Sequence, residues 1–254
     1  MRQSDITEKV SVAVICAHIL GGLRLLSRLP LPQSEDNPGP AAAWAWPVTG
    51  VVVGSLVAGV AALCLPLGAQ AAAAIALGAQ AMITGAMHED GLADSADGLW
   101  GGWDRARRLD IMKDSHIGTY GVMALLVVAL IRWSALTTLI SGGHWGAIVA
   151  VAVFSRAPMA VLMWAMENAR GTGLAQSVGR VPGRAAAGAA ALGGVALLML
   201  GVPGLAAGVA GIGVVCVLAL VARAKIGGQT GDILGASQQL AEAAALCVLA
   251  AVLH

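Results

Sequence analysis

The sequence predicts an all-α fold: a polytopic integral membrane bundle of about six to seven transmembrane helices plus an N-terminal interfacial helix, in one domain covering residues 1–254. Three observations carry this reading. Hydrophobic residues make up 58% of the chain and charged ones 11%, too little polar surface to coat a soluble domain. Several apolar runs reach the roughly 17–25 residues that cross a bilayer as a helix. The Lys and Arg residues between these runs fall on alternate connections, as expected when basic loops are retained on one side.

The elements follow in order. Residues 10–29 are apolar but interrupted by His18, Arg24 and Arg28 and closed by Arg-Leu-Pro-Leu-Pro, which suits an interfacial or half-inserted helix. The mixed charges Arg2, Asp5, Glu8 and Lys9 argue against a secretory signal peptide. Spans are expected at 44–67, 69–87, 119–140, 144–165, 185–200, 203–221 and 236–253. The connections near Gly68, Gly142 and Gly201 are short and carry no Lys or Arg, whereas the opposite ones carry Arg105, Arg107, Arg108, Lys113, Arg170, Arg180, Arg184, Arg223 and Lys225. This asymmetry puts the long polar connections in the cytoplasm. The Ala/Gly-rich stretch 185–213 predicts closely packed helices. Cys16, Cys64, Cys216 and Cys247 are isolated in apolar segments and read as small hydrophobes. A net charge of +1 gives no electrostatic case for nucleic acid.

Half of the 14 acidic residues fall within 88–121, so the chemistry is expected there. Asp90, Asp94 and Asp97 are spaced i, i+4, i+7 and share one helical face, where three carboxylates repel unless a cation lies between them. Hard oxygen donors favour Mg²⁺. Glu89, about 100° round the wheel, is a weaker candidate ligand, and His88 is read as a hydrogen-bonding spacer. Gly91 and Gly98 would let a bulky ligand lie against the backbone.

Three further polar clusters accompany this face. Lys113, Asp114 and Ser115 offer a cation and a hydroxyl for phosphate oxygens, while Arg105, Arg107 and Arg108 serve topology equally well. Arg156, inside a span beside Ser155, should face a polar cavity or a carboxylate, and Glu167, Asn168 and Arg170 follow at the end of that span. The run Lys225-Ile-Gly-Gly-Gln-Thr-Gly-Asp-Ile-Leu-Gly-Ala opens a helix; Gly227, Gly228, Thr230 and Gly231 could present backbone N–H groups to phosphate, and Asp232 adds a carboxylate. Glu242 calls for a partner such as Arg28 or Arg156, and Arg132 reads as structural and toward the far side. Together these groups suggest metal-assisted phosphoryl or phosphodiester transfer on a membrane-associated substrate.

The segments His-Glu-Asp-Gly-Leu-Ala-Asp-Ser-Ala-Asp-Gly at 88–98, Ile-Met-Lys-Asp-Ser-His-Ile-Gly at 111–118 and Gly-Gly-Gln-Thr-Gly-Asp-Ile-Leu-Gly-Ala at 227–236 resemble the signatures of the cobalamin synthase (adenosylcobinamide-GDP ribazoletransferase) family. Arg-Leu-Pro at 28–30, Ser155-Arg156 and Ala169-Arg170 are similar to further landmarks, in order from about 25 to 245. The resemblance implies a multi-pass enzyme of the bacterial inner membrane with its active segment, about 88–118, facing the cytoplasm. It implies joining of adenosylcobinamide-GDP to α-ribazole or its 5′-phosphate, release of GMP, and a need for Mg²⁺. On this reading Asp90, Asp94 and Asp97 hold Mg²⁺ on the diphosphate, Lys113 and Arg156 offset charge on the leaving phosphate, and Asp232 is a ligand or the base. Asp114, Ser115, Arg170 and the glycine loop are the expected substrate contacts, and the lipid bilayer, a second copy or other corrinoid-pathway enzymes the expected neighbours. Two positions depart from the pattern: His116 stands where Arg is expected, and Glu89 occupies a variable place. The alternatives are a CDP-alcohol phosphotransferase, whose Ala-Arg and later aspartates do not fall in register here, and a cation-coupled transporter, which would want a midplane site between repeats.

Overall fold

The computed structural model describes residues 12–32 and 38–253; residues 10 and 11, assigned above to the interfacial helix, and the charged residues at 2, 5, 8 and 9 lie outside the described residues. Among the described residues the chain is helical, without β-strands. α1 (Val12–Leu26) packs on a 3₁₀ turn (Pro40–Ala45) that runs into α2 (Trp46–Cys64). α3 (Ala69–Thr84), α4 (Met87–Gly101) and α5 (Arg105–Ile111) follow, then α6 (Thr119–Ser141), α7 (Trp145–Phe154), α8 (Ala157–Ala165) and the short α9 (Leu174–Val178). α10 (Gly183–Leu198), α11 (Val202–Ile226) and α12 (Gly231–Val252) complete the bundle.

Five stretches are long and apolar enough to cross a membrane: Pro40–Leu67, Thr119–Ser141, Trp145–Ala165, Val202–Ile226 and Gly231–Val252. The α7/α8 and α12 stretches are 83% and 72% buried against 28% for α11, so the first two form the centre of the bundle while α11 faces outward. α10, at 16 residues and about 24 Å, falls short of a bilayer core of about 30 Å.

Three expected boundaries shift. The span drawn at 69–87 is broken: α3 ends at Thr84, Gly85 and Ala86 take left-handed φ values of 68° and 53°, and α4 departs at 91°. The acidic motif therefore does not continue an apolar helix; it starts a new one. The Arg28 N–H donates to the Ile83 carbonyl at 2.6 Å and its side chain packs over Gly85, so the N-terminal Arg-Leu-Pro latches this bend. α11 runs to Ile226, placing Arg223 and Lys225 on its last turn rather than in a loop, and α12 begins at Gly231, directly off the glycine run.

The basic connections gather at one end. Lys225 Nζ donates to the Leu99 carbonyl at 2.7 Å and sits 4.5 Å over the Trp100 ring, Arg108 donates to the Lys225 carbonyl, and Arg105 to that of Ala169. These contacts join the end of α4, α5, the end of α11 and the loop after α8 to one another. At the opposite end His144 Nε2 lies 2.7 Å from the Leu253 carbonyl oxygen.

Candidate active site

α4 crosses α12 where both are reduced to backbone. A Cβ on Gly91 would stand 2.8 Å from the Asp232 carbonyl, and one on Gly235 would stand 3.2 Å from the His88 Cα. This close approach sets the first turn of α12 against the acidic face of α4. Asp94, half-buried, has Asp90, Asp232, Asp97 and Arg170 as its charged neighbours. Arg170 Nη2 donates to Asp232 Oδ2 at 2.6 Å, and the Thr230 hydroxyl donates to the same oxygen at 3.2 Å. Three segments far apart in sequence thus meet: the acidic motif, the loop after α8, and the glycine run.

A cavity of about 170 Å³ opens at this meeting point. Asp90, Asp232, Arg170, Thr172 and His88 form its polar wall; Leu25, Leu26, Trp46, Met87, Met159 and Met163 form most of its apolar wall. His88 is 2% exposed and its Nε2 has no hydrogen-bond partner.

The sequence-predicted residues divide by location. Asp90, Asp94, Asp232, Arg170 and Gly231 stand at or beside the cavity. Asp97 is buried, and its two oxygens accept the N–H groups of Gly118 (2.7 Å) and Gly121 (2.9 Å), capping the start of α6. Glu89 points the other way, accepting from Gln239 at 3.1 Å and from Arg132 at 3.5 Å. Thr230 caps α12 by accepting the Ile233 N–H. Gly227 is the left-handed end of α11, and Gly228 lies so close to the Glu167 carbonyl that a side chain would collide with it. The glycine run pairs there with the loop after α8: Gln229 N–H donates to Glu167 O and Ala169 N–H to Gln229 O. Lys113, Asp114 and Ser115 are exposed in the turn after α5 and do not line the cavity. Asp114 Oδ1 lies 2.6 Å from His116 Nδ1, and this hydrogen bond holds the imidazole above its ordinary pKa and the carboxyl below its own.

Arg156 is fully buried, donates to the Ala152 carbonyl at 2.7 Å and does not reach the cavity. Nor is it or Arg28 the hydrogen-bonded partner of Glu242. That partner is Arg132, whose Nη2 donates to Glu242 Oε1 at 2.7 Å while Nη1 donates to Gln239 at 2.6 Å. Gln80, Ser155 and Gln238 also donate to Glu242. Arg132, expected toward the far side, lies in a buried polar layer directly behind α4, paired with Glu242 and beside Glu89. Sequence reasoning missed the cavity lining, because Trp46, Met159 and Met163 look like any core residue; His88, next to the carboxylates, was the one signal available.

Among the described residues, no three His, Cys, Asp or Glu side chains are grouped closely enough to hold a metal by themselves. The carboxylate oxygens of Asp90 and Asp94 nonetheless suit Mg²⁺, which is commonly held by one or two carboxylates and completed by water and substrate phosphate.

Residues 18–250 match the family model described as Cobalamin-5-phosphate synthase. The chain is 42% identical over 237 residues to an adenosylcobinamide-GDP ribazoletransferase of Mesorhizobium japonicum, covering 91% of this chain and 92% of that one. It is 42% identical over 252 residues to the protein of the same name from Bradyrhizobium diazoefficiens, covering 92% and 95%. Against the one from Brucella ovis it is 42% identical over 242 residues, covering 88% and 92%. No solved structure matches the chain.

Proposed function

The chain belongs to the cobalamin-5-phosphate synthase family, and from that premise we propose that it joins adenosylcobinamide-GDP to α-ribazole or its 5′-phosphate, releasing GMP, at the cavity between α4 and α12. The observation that carries the reading is the convergence of Asp90, Asp232 and Arg170 on one cavity from three separate segments, with Asp94 as their charged neighbour. The reaction transfers a phosphoryl centre from a GMP leaving group to a ribazole hydroxyl, so charge must be neutralised at the diphosphate and the attacking hydroxyl must lose a proton.

Asp90 and Asp94 would hold Mg²⁺, which when bound supplies positive charge against the diphosphate oxygens. Arg170 is the nearest cation to this group and can contact a phosphate oxygen once it lets go of Asp232. Asp232, released from that pair, is placed to accept the hydroxyl proton. Asp97 acts by position, locking α4 to α6 so that Asp94 keeps its orientation. The basic end of the bundle faces the cytoplasm of a bacterial inner membrane.

The test is GMP release by the detergent-purified chain given adenosylcobinamide-GDP and α-ribazole. Release should require both substrates and stop with EDTA, and Asp94→Asn should lower it by about a hundredfold or more while the protein stays folded. Release that is indifferent to EDTA would remove the metal from this site.

A further inference from the structure

On its apolar side, hereafter the slot, the cavity is walled by Trp46, Met87, Met159, Met163 and Val178. Its volume of about 170 Å³ lies below the roughly 300–1,000 Å³ of pockets that take drug-sized ligands. A flat bicyclic aromatic fits such a space; a corrin, with its ring of four linked heterocycles and projecting amides, does not. The slot also discriminates between the two bicyclic bases present in the reaction. Guanine carries a carbonyl, a ring N–H and an amino group that would each need a partner, whereas the apolar side of the cavity is thioether, indole and aliphatic carbon. The base of α-ribazole is a benzimidazole whose outer edge is hydrocarbon and whose single free ring nitrogen is an acceptor.

We propose that this slot is the subsite for the base of the acceptor nucleoside. The benzimidazole lies among Trp46 and the three methionines, and the ribose emerges at Asp90, Asp232 and Arg170, where its hydroxyl meets the phosphorus. Methionine suits this role because its flexible, polarisable thioether packs against aromatic faces. The corrinoid substrate then stays outside, bringing only its diphosphate to the carboxylates. This assignment rests on the transferase reading above and adds which substrate goes where.

The experiment pairs α-ribazole binding to the full-length, detergent-purified chain, measured calorimetrically without corrinoid, with KM for each substrate in GMP release. Val178→Trp, which fills the slot from a half-buried position, should raise Kd and KM for α-ribazole about tenfold or more and leave KM for adenosylcobinamide-GDP unchanged. Met163→Ala should relax the exclusion of bulkier benzimidazole nucleosides, a gain that misfolding cannot mimic. Unchanged α-ribazole binding in the filled variant, or a rise in the corrinoid KM instead, would overturn the subsite while ribazole-dependent GMP release by the wild type still upheld the transferase. Wild-type protein that releases no GMP in response to α-ribazole would overturn both.

Discussion

Asp97 shows how one carboxylate can match a sequence pattern and serve another purpose. Its i+7 spacing from Asp90 places it on the acidic face, yet its oxygens take the N–H groups of Gly118 and Gly121 at the start of α6, where backbone donors have no helical partner. Asp97→Ala should cost about 2 kcal/mol, since it removes a cap and leaves two donors in place, and thermal unfolding in detergent would register it. A loss of activity with no loss of stability would instead make Asp97 a ligand. At His116, where the resemblance leads one to expect Arg, the Asp114 carboxylate accepts from the ring Nδ1 and favours its protonated form, so positive charge is favoured there on a different residue. In Asp114→Asn the His116 titration, followed by NMR, should fall back toward its ordinary midpoint. Because the folded pKa of His116 is raised and that of Asp114 lowered, any stabilisation from the pair is complete between the ordinary carboxylate and histidine pKa values; it fades as pH rises through the raised value or falls through the lowered one.

At the scale of elements, the break between α3 and α4 matters most. Were the helix continuous through Met87, the acidic face would project along the axis of α3; the 91° turn instead lays α4 against α12 and α6. The turn is held by two successive left-handed residues, one of them alanine, with Arg28 packed over the glycine. Behind α4, the Arg132–Glu242 pair joins α6 to α12, and Gln80 ties α3 to the same carboxylate. Both partners are almost wholly buried, so Arg132→Leu should destabilise the protein by about 3 kcal/mol or more by leaving a carboxylate without its cation. Adding Glu242→Leu should return much of that stability, because the uncompensated charge is gone. A double variant no better than the single one would show that the other members of the layer, not the pair, carry the effect.

For the molecule as a whole, the charge asymmetry of the connections predicts orientation, and the structure gathers those connections at one end. With the four native cysteines replaced, a single cysteine at Ser115 should react with a membrane-impermeant thiol reagent in inverted vesicles and not in intact cells; the reverse pattern would invert the topology. The sequence by itself determined the fold class, the alternation of basic and uncharged connections, the acidic motif and the resemblance that membership of the family bears out. Each of these depends on composition, local periodicity or a contiguous string of residues, which a chain carries in one dimension. Only the tertiary structure decided that Arg132 rather than Arg28 or Arg156 answers Glu242, that Asp97 caps a helix, and that Lys113 stands away from the cavity. It also decided that Trp46, Met159 and Met163, which belong to the packed core, wall the cavity as well. These outcomes depend on which faces of distant helices meet, and that follows from the bend at Gly85 and Ala86 and the glycine crossing of α4 on α12, neither of which has a periodic signature.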